Sequence, residues 1–191
     1  MNNKVYEDSI ILIGPSHAGK STIAELLKEK TGMRRICLDA YSKTPNCQSI
    51  IGGIREDAKA RGENPNDEAH LALINLLLKM AEDYNQPGIV DFGAGHAIFT
   101  KEGLTKAKEL LKHFKNIVLL LPCEDKEKSI HILASRDAKG DVRDNRVFIE
   151  NPSYYELATM TFYNEGKSPE QVADEIMSTI SGRDEKKAVR E

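Results

Sequence analysis

Residues 14–21 form a segment that is suited to binding a phosphate chain. Their sequence, Gly-Pro-Ser-His-Ala-Gly-Lys-Ser, matches the pattern G-x-x-x-x-G-K-S at every position. The glycines allow backbone amides to approach an anion closely. In this pattern Lys20 reaches the β- and γ-phosphates, and the hydroxyl of Ser21 binds Mg²⁺. The segment therefore predicts a site for a nucleoside triphosphate with Mg²⁺. The predicted nucleotide-binding residues are Gly14, Ser16, His17, Ala18, Gly19, Lys20, Ser21, Thr22 and, from a later segment, Arg136.

The neighbouring elements have the order that this chemistry needs. Residues 9–13 are a short apolar run, which predicts a buried parallel strand. Residues 21–30 carry apolar side chains at helical spacing. The segment thus leads from a strand to the N-terminus of a helix, where unpaired backbone N–H groups attract anions.

Two acids follow strands that are predicted to lie at the same edge of the sheet. Asp39 ends the strand predicted over 34–39, and Asp91 ends the strand predicted over 89–91. Ligands of parallel α/β sheets bind at the carboxyl ends of the strands. Both acids are therefore candidate Mg²⁺ ligands, and the sequence leaves open which of them serves the metal. Asp39 is also the candidate to orient or deprotonate an acceptor hydroxyl.

Other candidates surround these residues. Gly93-Ala94-Gly95 lets the backbone approach a substrate closely. Arg55, which follows two glycines, lies on the expected substrate side. Arg136 and Arg143 flank a polar segment without apolar periodicity, which is the composition of a mobile lid over phosphates. We therefore predict Lys20, Asp39, Arg136 and Arg143 as catalytic residues.

The rest of the chain alternates between strand-like and helical segments, which predicts an α/β fold with a parallel sheet. Two more strands are predicted at 117–121 and 159–163. Helices are predicted at 54–61, 66–84 with Asn66 as its N-cap, 101–113, 125–136, 152–158 and from Pro169 onward.

Composition excludes several classes of protein. The chain has 191 residues and a net charge of -3, which argues against a protein that binds duplex nucleic acid. No apolar run approaches the roughly 18 residues of a membrane span, and residues 1–10 lack the apolar stretch of a secretory signal, so we expect neither. The 3 cysteines form no CxxC pair, so neither a zinc site nor a disulfide framework is indicated. We expect a cytoplasmic protein that acts on a small molecule and binds neither nucleic acid nor membrane.

The sequence also narrows the type of phosphate-binding protein. The Asn-Lys-x-Asp motif of GTPases is absent, and the predicted third strand ends in a single acid. Molecular motors generally need a longer chain and an acidic pair at that position. A kinase for a small molecule fits both the length and the pattern.

Five segments carry a resemblance to a known family. They are GPSHAGKST at 14–22, CLDAY at 37–41, DFGAGH at 91–96, SRDAKGDVR at 135–143, and the closing segment at 151–177. In this order the chain resembles the shikimate kinase family of P-loop kinases, within the nucleoside-monophosphate-kinase-like group. The resemblance implies transfer of the γ-phosphoryl group of ATP to a hydroxyl of a small metabolite.

The resemblance also implies an architecture. It is a single P-loop kinase domain over 1–181, a three-layer sandwich whose five-stranded parallel sheet has the order 2-3-1-4-5. Residues 40–66 form the acceptor-binding region, residues 137–147 form the lid, and residues 182–191 form a polar tail. A monomer is the favoured state.

The chain departs from the family where the acceptor binds. Tyr41 stands where the family has a second acid, and Asn151 stands where it has a carboxylate-binding arginine. Loss of that bidentate partner predicts an altered acceptor site and weak activity on shikimate itself. Three alternatives stay open: a nucleoside or nucleotide kinase, an antibiotic phosphotransferase on the same fold, or a nucleotide-binding regulatory protein with little turnover.

Overall fold

A five-stranded, all-parallel sheet organises the chain. The computed structural model describes residues 3–137 and 142–188, with side chains over 4–137 and 145–183. The strands are β1 (Ile10–Ile13), β2 (Arg34–Cys37), β3 (Gly88–Asp91), β4 (Asn116–Leu121) and β5 (Met160–Tyr163). Their order is β2-β3-β1-β4-β5, as predicted.

Helices flank the sheet. They are α1 (Asn3–Asp8), α2 (Lys20–Thr31), α3 (Leu38–Ser42), α4 (Pro45–Arg61), α5 (Pro65–Tyr84), α6 (Lys101–Leu111), α7 (Lys126–Arg136), α8 (Val142–Glu150), α9 (Pro152–Leu157) and α10 (Pro169–Ala188). A short 3-10 helix, Ala94–Ala97, follows β3. Within the described residues, no helix combines the length and the apolar character that a membrane span requires.

The central strands place the site. All residues of β1, β3 and β4 are buried, as expected for a parallel sheet covered on both faces. In register, Leu12 of β1 and Cys37 of β2 both lie opposite Asp91 of β3. The loops that follow these three strands therefore open at one edge of the sheet.

The acceptor-binding region is more helical than the sequence predicts. A loop with a short helix at 54–61 was expected over this region, but α4 runs without interruption through Gly52 and Gly53. Its buried side chains, Cys47, Ile51 and Ala58, recur at helical spacing and hold it against the core. The helix that follows begins before the predicted Asn66, because the side chain of Asn64 accepts from two backbone N–H groups of the first turn.

Two segments predicted without regular structure contain helix. In the predicted lid, residues 138–141 lie outside the described residues, but α8 begins at Val142. Asn145 and Ile149, one turn apart, are buried, which gives α8 an inward face. The predicted polar tail continues α10 to Ala188, because its residues are mostly strong helix formers. The sequence analysis also missed the short helices α1 and α3.

Candidate active site

The segment between β1 and α2 forms a tight loop with left-handed backbone at three positions. Gly14 has φ 141°, and a Cβ there would lie 2.5 Å from the carbonyl oxygen of Leu120 in β4. His17 has φ 60° and Gly19 has φ 85°. Glycine is required at position 14 by the close approach of β4, and at position 19 it suits the left-handed backbone.

The first turn of α2 presents free amide groups to this loop. Its N-cap is Gly19, which has no side chain to accept from the first N–H groups. By contrast, side chains of Asn64, Thr100 and Asp125 cap α5, α6 and α7. An uncapped helix N-terminus that faces a glycine-containing loop is a site for an anion such as a phosphate.

Lys20 extends back over the loop. Its Nζ donates to the carbonyl oxygens of Gly14 at 2.9 Å and Pro15 at 2.8 Å, and the side chain is buried. Burial lowers the pKa of Lys20 to about 8, and the negative charges of Asp91 and Asp39 offset part of this effect. The ammonium is therefore a desolvated cation that an anionic ligand would stabilise.

Ser21 and Asp91 are brought together, as the prediction of a shared metal site requires. Ser21 Oγ donates to Asp91 Oδ2 at 2.6 Å. The same oxygen accepts from Arg35 Nη2 at 2.8 Å, and Arg35 Nη1 donates to Glu25 at 3.1 Å. A hydroxyl and a carboxylate so placed belong to the oxygen ligands that Mg²⁺ prefers.

Arg35 is a site residue that the sequence analysis missed. Its Nε is the one buried side-chain nitrogen or oxygen without a hydrogen-bond partner in the part of the chain that the structure describes. Its pairing with Asp91 depends on the register of β2 with β3, which a single sequence does not reveal.

Asp39 lies past the end of β2, in the first turn of α3, and not within the strand as predicted. Its Oδ2 pairs with Lys43 Nζ at 2.6 Å, and its side chain remains 45% exposed. A Cβ added to Gly93 would lie 2.8 Å from Asp39 Oδ1 and 2.9 Å from Cε1 of His96. Asp39, Gly93 and His96 thus meet at one point.

A cavity of about 460 Å³ opens beside this point. That volume falls in the range of small-molecule sites. Its polar lining residues are Asp39, Ser42, Lys43, Gln48, Arg55, His70 and His96. Asp39 and Arg55, both predicted to bind substrate, therefore share one cavity. Gly95 lines a different cavity, together with Phe99 and Phe148. The carbonyl of Ala94 accepts from the hydroxyl of Tyr154.

The predicted Arg136 approaches the loop from the other side. Its Nη1 donates to the carbonyl oxygen of His17 at 3.3 Å and to Oδ1 of Asn164 at 3.4 Å. Asn164, which the sequence analysis missed, also donates to the carbonyl oxygen of Ala18 at 2.8 Å. The side chain of the predicted Arg143 lies outside the described residues.

Comparison with known proteins agrees with this geometry. No protein-family model matches the chain. The shikimate kinase of Actinobacillus succinogenes is 26% identical over 175 residues, which are 90% of this chain and 94% of that protein. The chain is similar to shikimate kinases and has the fold of a P-loop kinase. This confirms the predicted resemblance and the predicted class, an ATP-dependent kinase.

Solved structures support the fold. A gluconokinase from Sinorhizobium meliloti has a TM-score of 0.63 at 17% identity, over 97% of this chain and 98% of that one. A shikimate kinase from Acinetobacter baumannii, in complex with shikimate, has a TM-score of 0.56 at 21% identity, over 95% and 98%. The predicted fold class is therefore confirmed.

Proposed function

We propose that the protein transfers the γ-phosphoryl group of ATP to a hydroxyl of a small metabolite. The observation that carries the proposal is the position of the acceptor cavity. Asp39 lines it and follows the end of β2, where Cys37 lies opposite Asp91, the carboxylate that Ser21 of the phosphate-binding loop contacts. A cavity for a hydroxyl compound thus adjoins a loop for a triphosphate.

On the nucleotide side, Lys20 Nζ donates to the carbonyl oxygens of Gly14 and Pro15 in the structure. When ATP binds, phosphate oxygens replace these acceptors. Ser21 would hold Mg²⁺, and Asp91 or Asp39 would complete its protein ligands. When bound, Mg²⁺ neutralises charge on the phosphate oxygens. A second cavity of about 130 Å³ is lined in part by Gly19, Ile23, Arg136 and Val172, and we assign it to the adenine base.

On the acceptor side, Asp39 is placed to receive the hydroxyl proton. The acceptor oxygen forms a bond to the γ-phosphorus, the bond from that phosphorus to the β-γ bridging oxygen breaks, and ADP leaves. The proton of the hydroxyl passes to a carboxylate oxygen of Asp39. Because the transition state is loose, the protein acts mainly by positioning these groups and neutralising charge.

The acceptor site differs from the one that the family resemblance implies. The Oδ1 atom of Asn151 accepts from the backbone N–H of Ser153 at 2.9 Å, so its side chain caps α9. Tyr41 packs against the hydrophobic core and does not line the acceptor cavity. These two residues do not supply the polar contacts expected at their positions, and we propose that shikimate is a poor acceptor.

An ADP-release assay coupled to a second enzyme tests the proposal. The acceptor panel contains shikimate, gluconate, polyols, nucleosides and aminoglycosides. We expect acceptor-dependent ADP release that Lys20→Ala abolishes and that Lys28→Ala, an exposed control on α2, leaves unchanged. ATP binding without turnover on any acceptor would instead favour a regulatory nucleotide-binding protein. Efficient turnover of shikimate would contradict the altered acceptor site.

A further inference from the structure

Two histidines line the acceptor cavity with their rings close together. His70 comes from the first half of α5, and His96 comes from the 3-10 helix after β3. The ring centroids are 5.8 Å apart. Each ring uses its Nδ1 atom for a contact with the backbone, and these contacts fix where each proton lies.

His96 is a neutral imidazole that carries its proton on Nε2. Its Nδ1 accepts a hydrogen bond of 3.2 Å from the backbone N–H of Gly93, so that nitrogen holds a lone pair. An imidazole whose Nδ1 holds a lone pair carries its proton on Nε2, which therefore acts as a donor.

His70 has the opposite arrangement. Its Nδ1 lies 3.1 Å from the carbonyl oxygen of Ile98, which can only accept, so Nδ1 carries the proton. Burial also lowers the pKa of His70, and the positive charge of Arg55 adds to this effect. In the neutral ring, Nε2 holds a lone pair and acts as an acceptor.

Among the described residues, neither Nε2 atom makes a hydrogen bond. Arg35 Nε is the only buried side-chain nitrogen or oxygen there that lacks a partner, so both Nε2 atoms are accessible. The cavity therefore holds one free donor and one free acceptor from the two rings.

The pair is rigidly mounted. Asp67, one turn before His70, accepts hydrogen bonds from the backbone N–H and the hydroxyl of Thr100, which ties α5 to the start of α6. The ring of Phe99 meets the His70 ring edge-on at 5.8 Å between centroids. Groups held in this way lose little entropy when a ligand binds.

We propose that His70 and His96 select an acceptor with two neighbouring hydroxyls besides the one that is phosphorylated. One hydroxyl donates to Nε2 of His70, and the other accepts from the Nε2–H of His96. The inference rests on the proposed function and adds two specificity-determining residues to its acceptor cavity. Asp39 remains the residue that receives the proton of the reacting hydroxyl.

Asparagine variants separate hydrogen bonding to the substrate from hydrogen bonding to the backbone. In His70→Asn and His96→Asn the amide can replace Nδ1 toward Ile98 and Gly93, but the group at Nε2 is lost. The matched control is His113→Asn, an exposed histidine between α6 and β4. The probes are gluconate, shikimate and myo-inositol, together with a monodeoxy analogue of whichever of these is phosphorylated.

For the acceptor that is phosphorylated, we expect each variant to raise its KM about 10-fold or more and to leave the KM for ATP unchanged, as for an unpaired polar group. The variants should also discriminate less than the wild type against the deoxy analogue that lacks the corresponding hydroxyl. Acceptor KM values within about twofold of the wild type would overturn the proposal.

A second measurement does not depend on turnover. Long-range ¹H–¹⁵N spectra at pH 7 should show His96 with its proton on Nε2 and His70 with its proton on Nδ1. Titration with the same probes should shift the Nε2 signals. A charged ring, a reversed tautomer, or Nε2 signals that no probe shifts would overturn the proposal. Absence of all turnover, with these shifts present, would instead contradict the proposed phosphoryl transfer.

Discussion

Ser21 Oγ donates a 2.6 Å hydrogen bond to Asp91 Oδ2, which joins the first turn of α2 to the end of β3. The bond fixes the direction in which the hydroxyl lone pairs point. Because the same carboxylate oxygen accepts from Arg35, the acid is held from both sides. Asp91 at the end of β3, held by Arg35 of β2, thus orients the Ser21 hydroxyl that the phosphate-binding pattern assigns to Mg²⁺.

Ser21→Ala and Asp91→Asn should act on the same step. We expect each variant to raise the Mg²⁺ concentration needed for half-maximal turnover. The double variant should raise this concentration by less than the two single effects combined. Residues in one hydrogen-bond network couple by about 0.5–3 kcal/mol. Ser21→Thr, which keeps the hydroxyl, is the control. Strictly additive effects on the Mg²⁺ dependence would show that the two residues act separately.

Arg35→Met should destabilise the fold, because it leaves the buried Asp91 carboxylate without its cation. Removing one partner of a buried pair costs about 3–5 kcal/mol, and we expect about 2–3 kcal/mol because Arg35 stays partly exposed. Urea unfolding measures the change in the free energy of unfolding. Arg34→Met is the control, since Arg34 stacks on the exposed Tyr84 ring instead.

The double variant Arg35→Met with Asp91→Asn tests the cause of that loss. Without the charge on Asp91, removing Arg35 should cost little more than the Asp91→Asn change alone. If the two losses add fully, Arg35 stabilises the fold through packing and not through the ion pair.

The sequence was sufficient to predict the strands and the phosphate-binding loop, because these depend on local patterns: apolar runs, Gly14 and Gly19, and Lys20 before a helix. The order of the strands came from the family resemblance. The sequence was not sufficient for contacts that depend on register and packing. Arg35 looks like an ordinary strand residue until β2 is aligned with β3. His70 lies within an apolar helix pattern, and only the fold places it beside His96.

Gly93→Ala should weaken acceptor binding selectively. Its φ of -61° accommodates any residue, so the backbone is not strained. A methyl group there would lie within 3 Å of both Asp39 Oδ1 and His96 Cε1, and both side chains must move. We expect the acceptor KM to rise about 10-fold, with the KM for ATP little changed, as for a displaced positioning group.

Gly95→Ala is the matched control for Gly93→Ala, since a Cβ at position 95 meets nothing within 4 Å. Its kinetics should equal those of the wild type. Equal damage from both variants would mean that the turn needs glycine for flexibility and not for space beside Asp39.

Nucleotide binding should draw a proton into the site in mildly alkaline solution. Since burial lowers the pKa of Lys20 to about 8, part of the free protein holds a neutral amine at pH 8.5. Phosphate anions favour the charged form, so the bound state takes up to one proton. Titration calorimetry in two buffers of different ionisation enthalpy measures this uptake.

Two comparisons check that assignment. In Lys20→Arg the guanidinium stays charged at every pH used, so ATP should bind without the uptake. In the wild type the uptake should fade toward pH 6.5, where Lys20 is already protonated. Uptake that persists in Lys20→Arg would assign the proton to another group.

Arg136→Ala should lower kcat more than it weakens ATP binding. In the structure Arg136 makes long contacts, 3.3 Å to the carbonyl of His17 and 3.4 Å to Asn164, which a phosphate oxygen could replace. Contacts that strengthen as charge shifts in the transition state affect kcat rather than binding. We expect kcat to fall about 100-fold, the typical loss for one such donor, and the Kd for ATP to rise less than 10-fold.

The control is Arg146→Ala. Arg146 pairs with Glu127 on α7 and Glu150 on α8 through contacts at the surface, where such pairs contribute about 0–1 kcal/mol. This variant should keep its kcat within about twofold of the wild type. A larger loss of kcat in Arg146→Ala than in Arg136→Ala would show that the arginine that contacts the phosphates lies on α8 and not at the end of α7. The 100-fold loss in Arg136→Ala alone would place that role on the residue that already contacts the phosphate-binding loop.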